Sequence, residues 1–179
     1  MKWFVASDIH GSAYYAEKMI ERFHEEKAEK LILLGDILYH GPRNDLPRDY
    51  NPKRVIALLN PLASSILCVK GNCESDVDGM VLDFPVDAEN ALLCAEGRTY
   101  YLTHGHKIRS DIAGLGCILL NGHTHVPLCD ESDGYLHLNP GSVSIPKENS
   151  PHSYMLLEGN SIVWKNIETG ETFMSHRFA

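Results

Sequence analysis

The stretch VASDIHG at residues 5–11 sets out the first strand of the chain and the first pair of reactive side chains. An apolar run ends just before Asp8, and His10 follows two positions later. Side chains two apart on an extended chain point the same way, so Asp8 and His10 are predicted to face one spot. Alone, such a pair is usually a turn or a surface pair, so its meaning depends on the remaining chain.

Four further segments repeat this arrangement, each after an apolar run that predicts a buried strand: Gly35-Asp36, Gly71-Asn72-Cys73-Glu74, His104-Gly105-His106 and Gly122-His123-Thr124-His125. Five strand ends that bring carboxylate, imidazole and amide groups together predict a metal centre. The number of such groups exceeds the need of one ion, which predicts two metals that share a ligand. Two metals about 3.5–4 Å apart suit the hydrolysis of phosphate esters.

Composition favours one ordinary globular domain over residues 1–179, with 44% hydrophobic and 22% charged residues. The net charge of −8 and the lack of a Lys/Arg-rich stretch argue against nucleic-acid binding. No apolar run approaches the roughly 20 residues of a membrane span, and the segment before Asp8 is too short for a signal peptide. The five scattered cysteines predict neither disulfides nor structural zinc, so we expect a cytoplasmic protein.

The predicted elements run βαβαβ first and are mostly β afterwards. Helices are predicted over residues 13–27, after the capping Ser12, and over 52–60, where Pro52 suits the first turn. Between them lies a long polar loop, 37–51, of the kind that is often functional. Strands are predicted over 2–7, 31–34, 65–70, 91–95, 99–103, 117–121, 126–130, 135–138, 153–157 and 161–166, with a further strand at 171–177 and a polar turn at 131–134. This order predicts two packed sheets with helices outside.

The motifs resemble those of the calcineurin-like metallophosphoesterases, and most of all the YfcE-type branch of small bacterial phosphodiesterases: SDIHG, LLGDILYHGPRN, VKGNCESD, LTHGH, NGHTH and LNPGSVSIPK. The resemblance implies a four-layer αββα sandwich and a binuclear centre, usually manganese in this branch. It places Asp8, His10 and His125 on the first metal and Asn72, His104 and His123 on the second. Asp36 is expected to bridge both.

The expected activity is a metal-dependent phosphodiesterase in which a hydroxide between the metals attacks phosphorus. The mixed imidazole and oxygen ligands suit Mn²⁺, with Fe, Co²⁺ or Zn²⁺ as alternatives. Two divalent metals, less the charges of Asp8, Asp36 and hydroxide, leave one positive charge, which favours a diester monoanion. A phosphomonoesterase acting on nucleotides or small metabolites stays open. The fold also serves as a non-catalytic retromer subunit, but all seven ligand positions are intact here, which ranks a protein-binding scaffold last.

Cys73 stands where many members of the superfamily have a histidine that helps the leaving group depart. A thiol is a weak donor, so His106 and His40 are the candidates for that acid. The favoured interpretation of His106 is a hydrogen bond that orients a ligand, and His40 is equally well a solvated loop residue. The predicted catalytic residues are therefore Asp36, Asn72, Cys73 and His106.

The loop after Asp36 supplies the candidate substrate-binding residues His40, Arg43 and Asn44. An arginine can grip phosphate oxygens with two parallel hydrogen bonds. Arg43 is equally well interpreted as a surface residue or as a contact between the subunits of a homo-oligomer. The expected partner is a small phosphate ester. Residues 139–142 are predicted to form a turn that supports the centre through its backbone.

Overall fold

The computed structural model describes residues 1–131 and 134–178. In chain order its elements are β1 (Lys2–Ala6), α1 (Ala13–Glu25), β2 (Lys30–Leu33), α2 (Pro52–Leu59), β3 (Ile66–Cys68), α3 (Asp78–Val81), β4 (Asn90–Ala95), β5 (Arg98–Thr103), β6 (Ile118–Leu120), β7 (Pro127–Asp130), β8 (His137–Pro140), β9 (Ser153–Glu158), β10 (Ser161–Asn166) and β11 (Thr172–Arg177). Short 3₁₀ helices span Asn60–Ser65 and Ile112–Leu115.

The strands form two sheets, as predicted. One has the order β11-β10-β9-β1-β2-β3 and the other β4-β5-β6-β8-β7. β1, β2 and β3 are parallel, and β5, β6 and β8 are parallel in the second sheet. The carboxyl ends of parallel strands meet at one edge of a sheet, so the loops that follow these strands are brought together.

The two longer helices cover the outer face of the six-stranded sheet. Ser12 caps α1 by accepting a hydrogen bond from the Tyr15 amide, and Asn51 caps α2 in the same way. α1 buries Tyr15, Met19 and Phe23 at helical spacing against this sheet. Both predicted helices are confirmed, although each ends one or two residues earlier than predicted.

A second core lies between the sheets. Trp3, Val5 and Ile32 of the first sheet pack with Leu102 and Leu120 of the second. The outer face of the second sheet is covered by a small cluster that includes Ile112 of the 3₁₀ helix. The four layers of an αββα sandwich are therefore present, and the fourth layer, on the outer face of the second sheet, consists of a single short 3₁₀ helix.

Three differences from the predicted elements are local. β3 is shorter than 65–70 because Ser65 ends a 3₁₀ helix. β8 begins at His137 instead of Tyr135, and α3 was not predicted. The predicted turn at 131–134 includes Ser132 and Asp133, which lie outside the described residues. No helix in the described ranges has both the length and the apolar character needed to cross a bilayer.

Candidate metal centre

All five predicted segments meet at the carboxyl ends of the parallel strands. Asp8 follows β1, Asp36 follows β2, Asn72 follows β3, His104 follows β5 and His123 follows β6. The convergence predicted from the motifs is present. Most of the side chains are shielded from solvent: Asp8, His10, Asp36, His104 and His125 are all at most 3% exposed.

The backbone reaches this arrangement in a way that the extended-chain argument did not predict. Asp8 and His10 have φ angles of 58° and 49°, and His123 and His125 have 67° and 63°. Each pair therefore converges through left-handed turns, and the prediction of extended strands here is wrong. Non-glycine residues in this region cost on the order of 1 kcal/mol each, a strain that functional sites often contain.

Three side chains form what we call the buried half-site: Asp8, His10 and His125. Nε2 of His125 lies 3.3 Å from Oδ1 of Asp8, and Nε2 of His10 lies 3.6 Å from the same oxygen. The two Nε2 atoms are 3.2 Å apart. Ligands held about 2.1 Å from one ion at angles of about 90–120° are about 3.0–3.6 Å apart, so these spacings fit a common cation.

Three others form the open half-site: Asn72, His104 and His123. Nε2 of His104 lies 3.2 Å from Oδ1 of Asn72 and 3.2 Å from Nδ1 of His123. Oδ2 of Asp36 lies 3.3 Å from Nε2 of His104 and 3.7 Å from Nε2 of His10. Asp36 thus lies between the two half-sites, where a shared ligand was predicted.

The outer ring nitrogens show that this cluster needs a cation. Nδ1 of His10 donates to the Tyr39 carbonyl at 2.9 Å, and Nδ1 of His125 donates to the Ile145 carbonyl at 2.6 Å. A carbonyl can only accept, so each neutral ring presents an unprotonated Nε2 to the other. Oδ1 of Asp8 is buried there without a hydrogen-bond partner. Lone pairs that face one another in a buried site are stable only with a positive charge between them.

The protonation equilibria agree with this picture. Burial alone would lower the pKa of His104, but Asp36 and Asp8 raise it to about 9. Burial would raise the pKa of Asp8, but the imidazole rings of His10, His125 and His104 close to its carboxylate hold that pKa well below its usual range. Without metal, His104 therefore tends to hold a proton, whereas burial and His104 lower the pKa of His123. A metal ion that replaces this proton releases it on binding.

Glu74 supports the bridging position and was given no role in the sequence analysis. Its buried carboxylate accepts hydrogen bonds from the amides of Asp36 and Ile37, at 2.9 and 2.6 Å, and from the amide of Gly71. Burial and the nearby Asp36 raise the pKa of Glu74, and these three donors oppose the shift. Glu74 therefore joins the ends of β2 and β3. A side chain at Gly71 would lie 2.2 Å from Asp36 Oδ1, so this contact requires glycine.

The segment 139–144 supports the buried half-site from behind, but not as predicted: Asn139 and Pro140 end β8 instead of forming a turn, and the support comes from side chains instead of the backbone. The hydroxyls of Ser142 and Ser144 both donate to the Asp8 carbonyl, at 2.8 and 3.0 Å. Asn139 donates to the Gly122 carbonyl and accepts from the Gly141 amide. These bonds fix the loops that present Asp8 and His123.

A cavity of about 460 Å³ opens onto the centre. Its walls include the predicted residues Cys73, Arg43 and Asn44. The Cys73 sulfur accepts a hydrogen bond from Nδ2 of Asn72 at 3.2 Å. Burial and the neighbouring Asp36 raise the pKa of Cys73, which keeps it a thiol. Lys147 and Thr124 also line the cavity, and neither was predicted from the sequence.

His106 and His40 lie beside this cavity and do not line it. The His106 ring is 5.7 Å from that of His104 and 6.1 Å from that of His123, and within the described chain it forms no hydrogen bond with either. The favoured interpretation of His106 is therefore not supported. The His40 ring packs near Tyr39 and Tyr50, and its carbonyl accepts a hydrogen bond from Asn44.

The chain belongs to the calcineurin-like phosphoesterase superfamily, whose domain model matches residues 1–161. It is 42% identical over 163 residues to the phosphodiesterase YfcE of Escherichia coli strain K12, a match that covers 89% of each chain. The solved structure of the E. coli phosphoesterase YfcE superimposes with a TM-score of 0.90 at 37% identity, over 99% of each chain. The expected family and fold are confirmed.

More distant structures share the fold alone. Vps29 from Entamoeba histolytica, solved in complex with Zn²⁺, has a TM-score of 0.67 at 22% identity and covers 99% of this chain and 98% of its own. The same architecture therefore extends to proteins of low sequence similarity.

Proposed function

We propose that this protein is a metal-dependent phosphodiesterase. The observation that carries the proposal is the set of ligand atoms that face one another without a donor between them, above all the two Nε2 atoms 3.2 Å apart. Such a set is stable with a bound cation, and divalent cations are the cofactors of this superfamily. The 42% identity to a phosphodiesterase supports the choice of diesters.

We assign each ligand a role. Asp8, His10 and His125 would hold one metal, Asn72, His104 and His123 would hold the other, and Asp36 would be shared by both. When bound, two divalent ions polarise the phosphate and supply a nucleophile at neutral pH. Asp36 fixes the separation of the half-sites, Glu74 fixes Asp36, and the cavity that Arg43 and Asn44 line admits the substrate.

Mn²⁺ is the ion that we propose for the cell, since mixed imidazole, carboxylate and amide ligands suit it. We also propose a cytoplasmic location, since Cys68, Cys73, Cys94, Cys117 and Cys129 are all free thiols, as in a reducing compartment. One domain over residues 1–179 accounts for both sheets.

Metal removal and reconstitution test the proposal. Protein treated with a chelator should lose hydrolysis of bis(4-nitrophenyl) phosphate, and Mn²⁺ should restore it better than Mg²⁺ or Ca²⁺. Parallel assays with 4-nitrophenyl phosphate separate the diesterase from the phosphomonoesterase alternative. Activity that is unaffected by chelation, with no stoichiometric metal in the purified protein, would overturn the proposal.

A further inference from the structure

Two cationic side chains, Arg43 and Lys147, line the cavity that leads to the metal centre. Arg43 belongs to the loop after Asp36, and Lys147 belongs to the stretch after the segment 139–144. They reach the cavity from stretches of chain about a hundred residues apart. Both are exposed, whereas Asp36 and His125 at the other end of the cavity are 2% and 3% exposed. The two cations therefore lie at the solvent end.

Neither cation is neutralised by the protein. Arg22, Arg54 and Arg109 form ion pairs with Glu25, Glu17 and Asp111. In the described ranges, no carboxylate pairs with Arg43 or Lys147, although the chain has 24 acidic and 16 basic residues. Two unpaired cations in a concave site focus a positive potential there, which attracts anions.

The backbone holds Lys147 in place beside the buried half-site. The Lys147 amide donates to the His125 carbonyl at 3.2 Å, and the Lys147 carbonyl accepts from the Ser150 amide and hydroxyl at 3.0 and 2.6 Å. On the opposite wall, Nδ2 of Asn44 donates to the His40 carbonyl at 2.8 Å, which fixes the loop that carries Arg43. The walls are therefore pre-organised, and only the two side chains must adjust to a ligand.

The metal centre does not need these cations to bind the scissile phosphate. Of the seven ligands, only Asp8 and Asp36 carry a negative charge. Two divalent ions would therefore leave the centre with a net positive charge, which suffices to bind the single negative charge of a diester. Arg43 and Lys147 therefore supply positive charge beyond what the scissile phosphate requires. We propose that they form a subsite for a second anionic group, a phosphate or a carboxylate, carried by one of the two alcohols of the diester. This inference rests on the proposed phosphodiesterase activity and names its substrate class.

Matched chromogenic diesters test the subsite. One pair is thymidine 5′-(4-nitrophenyl phosphate) with and without a 3′-phosphate, and the other is 4-nitrophenyl phenyl phosphate with and without a 4-carboxylate on the phenyl ring. Each pair keeps the leaving group and differs only in the added anion. We expect the Mn²⁺-loaded protein to favour the more anionic member of at least one pair by about tenfold in kcat/KM, mainly through KM.

Lys147→Gln and Arg43→Gln should each reduce that preference, and the double variant should abolish it, because the more anionic member of each pair loses more kcat/KM than the less anionic one. The control is Lys53→Gln, which removes an exposed charge from α2 and should retain the preference. Absence of a preference in both pairs would overturn the inference alone. So would an equal loss on both members of a pair, which would place the cations on the scissile phosphate. Absence of hydrolysis of all four esters would overturn the phosphodiesterase proposal and this inference with it.

Discussion

The buried and the open half-site differ in how firmly the protein holds their ligands. In the buried half-site, backbone carbonyls fix the rings of His10 and His125, and two serine hydroxyls fix the Asp8 carbonyl. In the open half-site, the Leu34 carbonyl fixes the His104 ring, but Asn72 is exposed and, among the described residues, bonds only to the neighbouring sulfur and the His104 ring. His123 is half-buried, and within the described chain no acceptor holds its second ring nitrogen.

This difference suggests a division of labour. A ligand whose orientation is fixed by a second hydrogen bond binds metal more tightly, typically by 10–100-fold. We therefore expect the buried half-site to retain its metal during mild chelation and the open half-site to exchange. The open half-site faces the cavity through two ligands, Asn72 and His123, and the buried half-site through His125, so a metal in the open half-site would be the more accessible to substrate.

The largest effect should come from Asp36, which lies between the two half-sites and which we propose as their shared ligand. Asp36→Ala should disrupt both metals and lower activity by at least about 10³-fold, because metals supply several kcal/mol of transition-state stabilisation. His104→Ala should remove only the open-site metal. Anomalous scattering from crystals of the two variants measures the occupancies. Full occupancy of both metals in Asp36→Ala would refute the bridging role.

Removal of the charge that supports Asp36 should affect the half-sites unequally. Glu74→Gln replaces one acceptor oxygen with a donor group facing the amides of Asp36, Ile37 and Gly71. We expect the affinity of the open half-site to fall by about 10–100-fold, because Asp36 and Asn72 follow the two strand ends that Glu74 joins. The buried half-site should change less.

A calorimetric titration of the metal-free protein with metal at constant pH measures both affinities. The matched control is Asp76→Asn, which neutralises an exposed carboxylate two residues further along the chain. An equal loss of affinity at both half-sites in Glu74→Gln would show that Glu74 supports the whole fold instead of one strand end.

A smaller effect is expected at Cys73, which lines the cavity beside the open half-site. Because its raised pKa leaves it a weak donor, rates should fall steeply as the pKa of the leaving alcohol rises, if chemistry limits turnover. Cys73→His would add a donor with a reference pKa of about 6.5. General acids typically contribute about 10²–10⁴-fold, and an unoptimised graft should give much less, on the order of tenfold.

The gain should be largest for poor leaving groups, so a plot of rate against leaving-group pKa should flatten. The measurement is a series of diesters with both proteins at equal metal occupancy. Parallel slopes would mean that the leaving group does not depart on the open side, or that another residue already protonates it.

The motifs predicted which side chains converge better than they predicted the backbone geometry that brings these side chains together. Asp8-x-His10 and His104-x-His106 have the same spacing, and only the first converges on the centre. Asp8 and His10 are turned inward by left-handed backbone, whereas Gly105, at φ 110°, leaves His106 exposed. Spacing alone cannot separate these outcomes, because the choice depends on contacts with other loops.

Residues that act through contacts between distant parts of the chain could not be predicted from the sequence either. Glu74 binds amides 37 and 38 positions away, and Lys147 reaches the cavity through a hydrogen bond to His125 across 22 residues. Both residues nevertheless lie in motifs that were noted from the sequence. Glu74 is a charged residue inside the segment Gly71-Asn72-Cys73-Glu74, and Lys147 is the last residue of LNPGSVSIPK. The strands and helices were predictable because their apolar periodicity is local.

The smallest expected effect concerns the support behind the buried half-site. Nδ1 of His152 donates to the Val143 carbonyl at 2.9 Å, and the Tyr15 hydroxyl bonds to Nε2 at 2.9 Å. Val143 in turn donates its amide to the Ser7 carbonyl, next to Asp8. Burial lowers the pKa of His152 from its usual 6.5, since the ring is partly enclosed and stacks on Tyr15.

A lowered pKa means that the unfolded chain binds a proton on His152 more readily than the folded protein does. The neutral ring therefore contributes stability that is fully present above about pH 6.5. That stability is lost as the pH falls below 6.5, until the folded protein also binds the proton. A pKa change of one unit corresponds to about 1.4 kcal/mol, and because His152 is only partly buried we expect less, at most about 1 kcal/mol.

Urea unfolding of the metal-free protein between pH 5 and 8 measures the effect. His152→Gln should lessen the loss of stability between pH 6.5 and 5 relative to the parent protein, whereas His24→Gln, which removes an exposed histidine from α1, should leave that loss unchanged. Identical profiles for the parent protein and His152→Gln would show that this histidine does not link stability to pH.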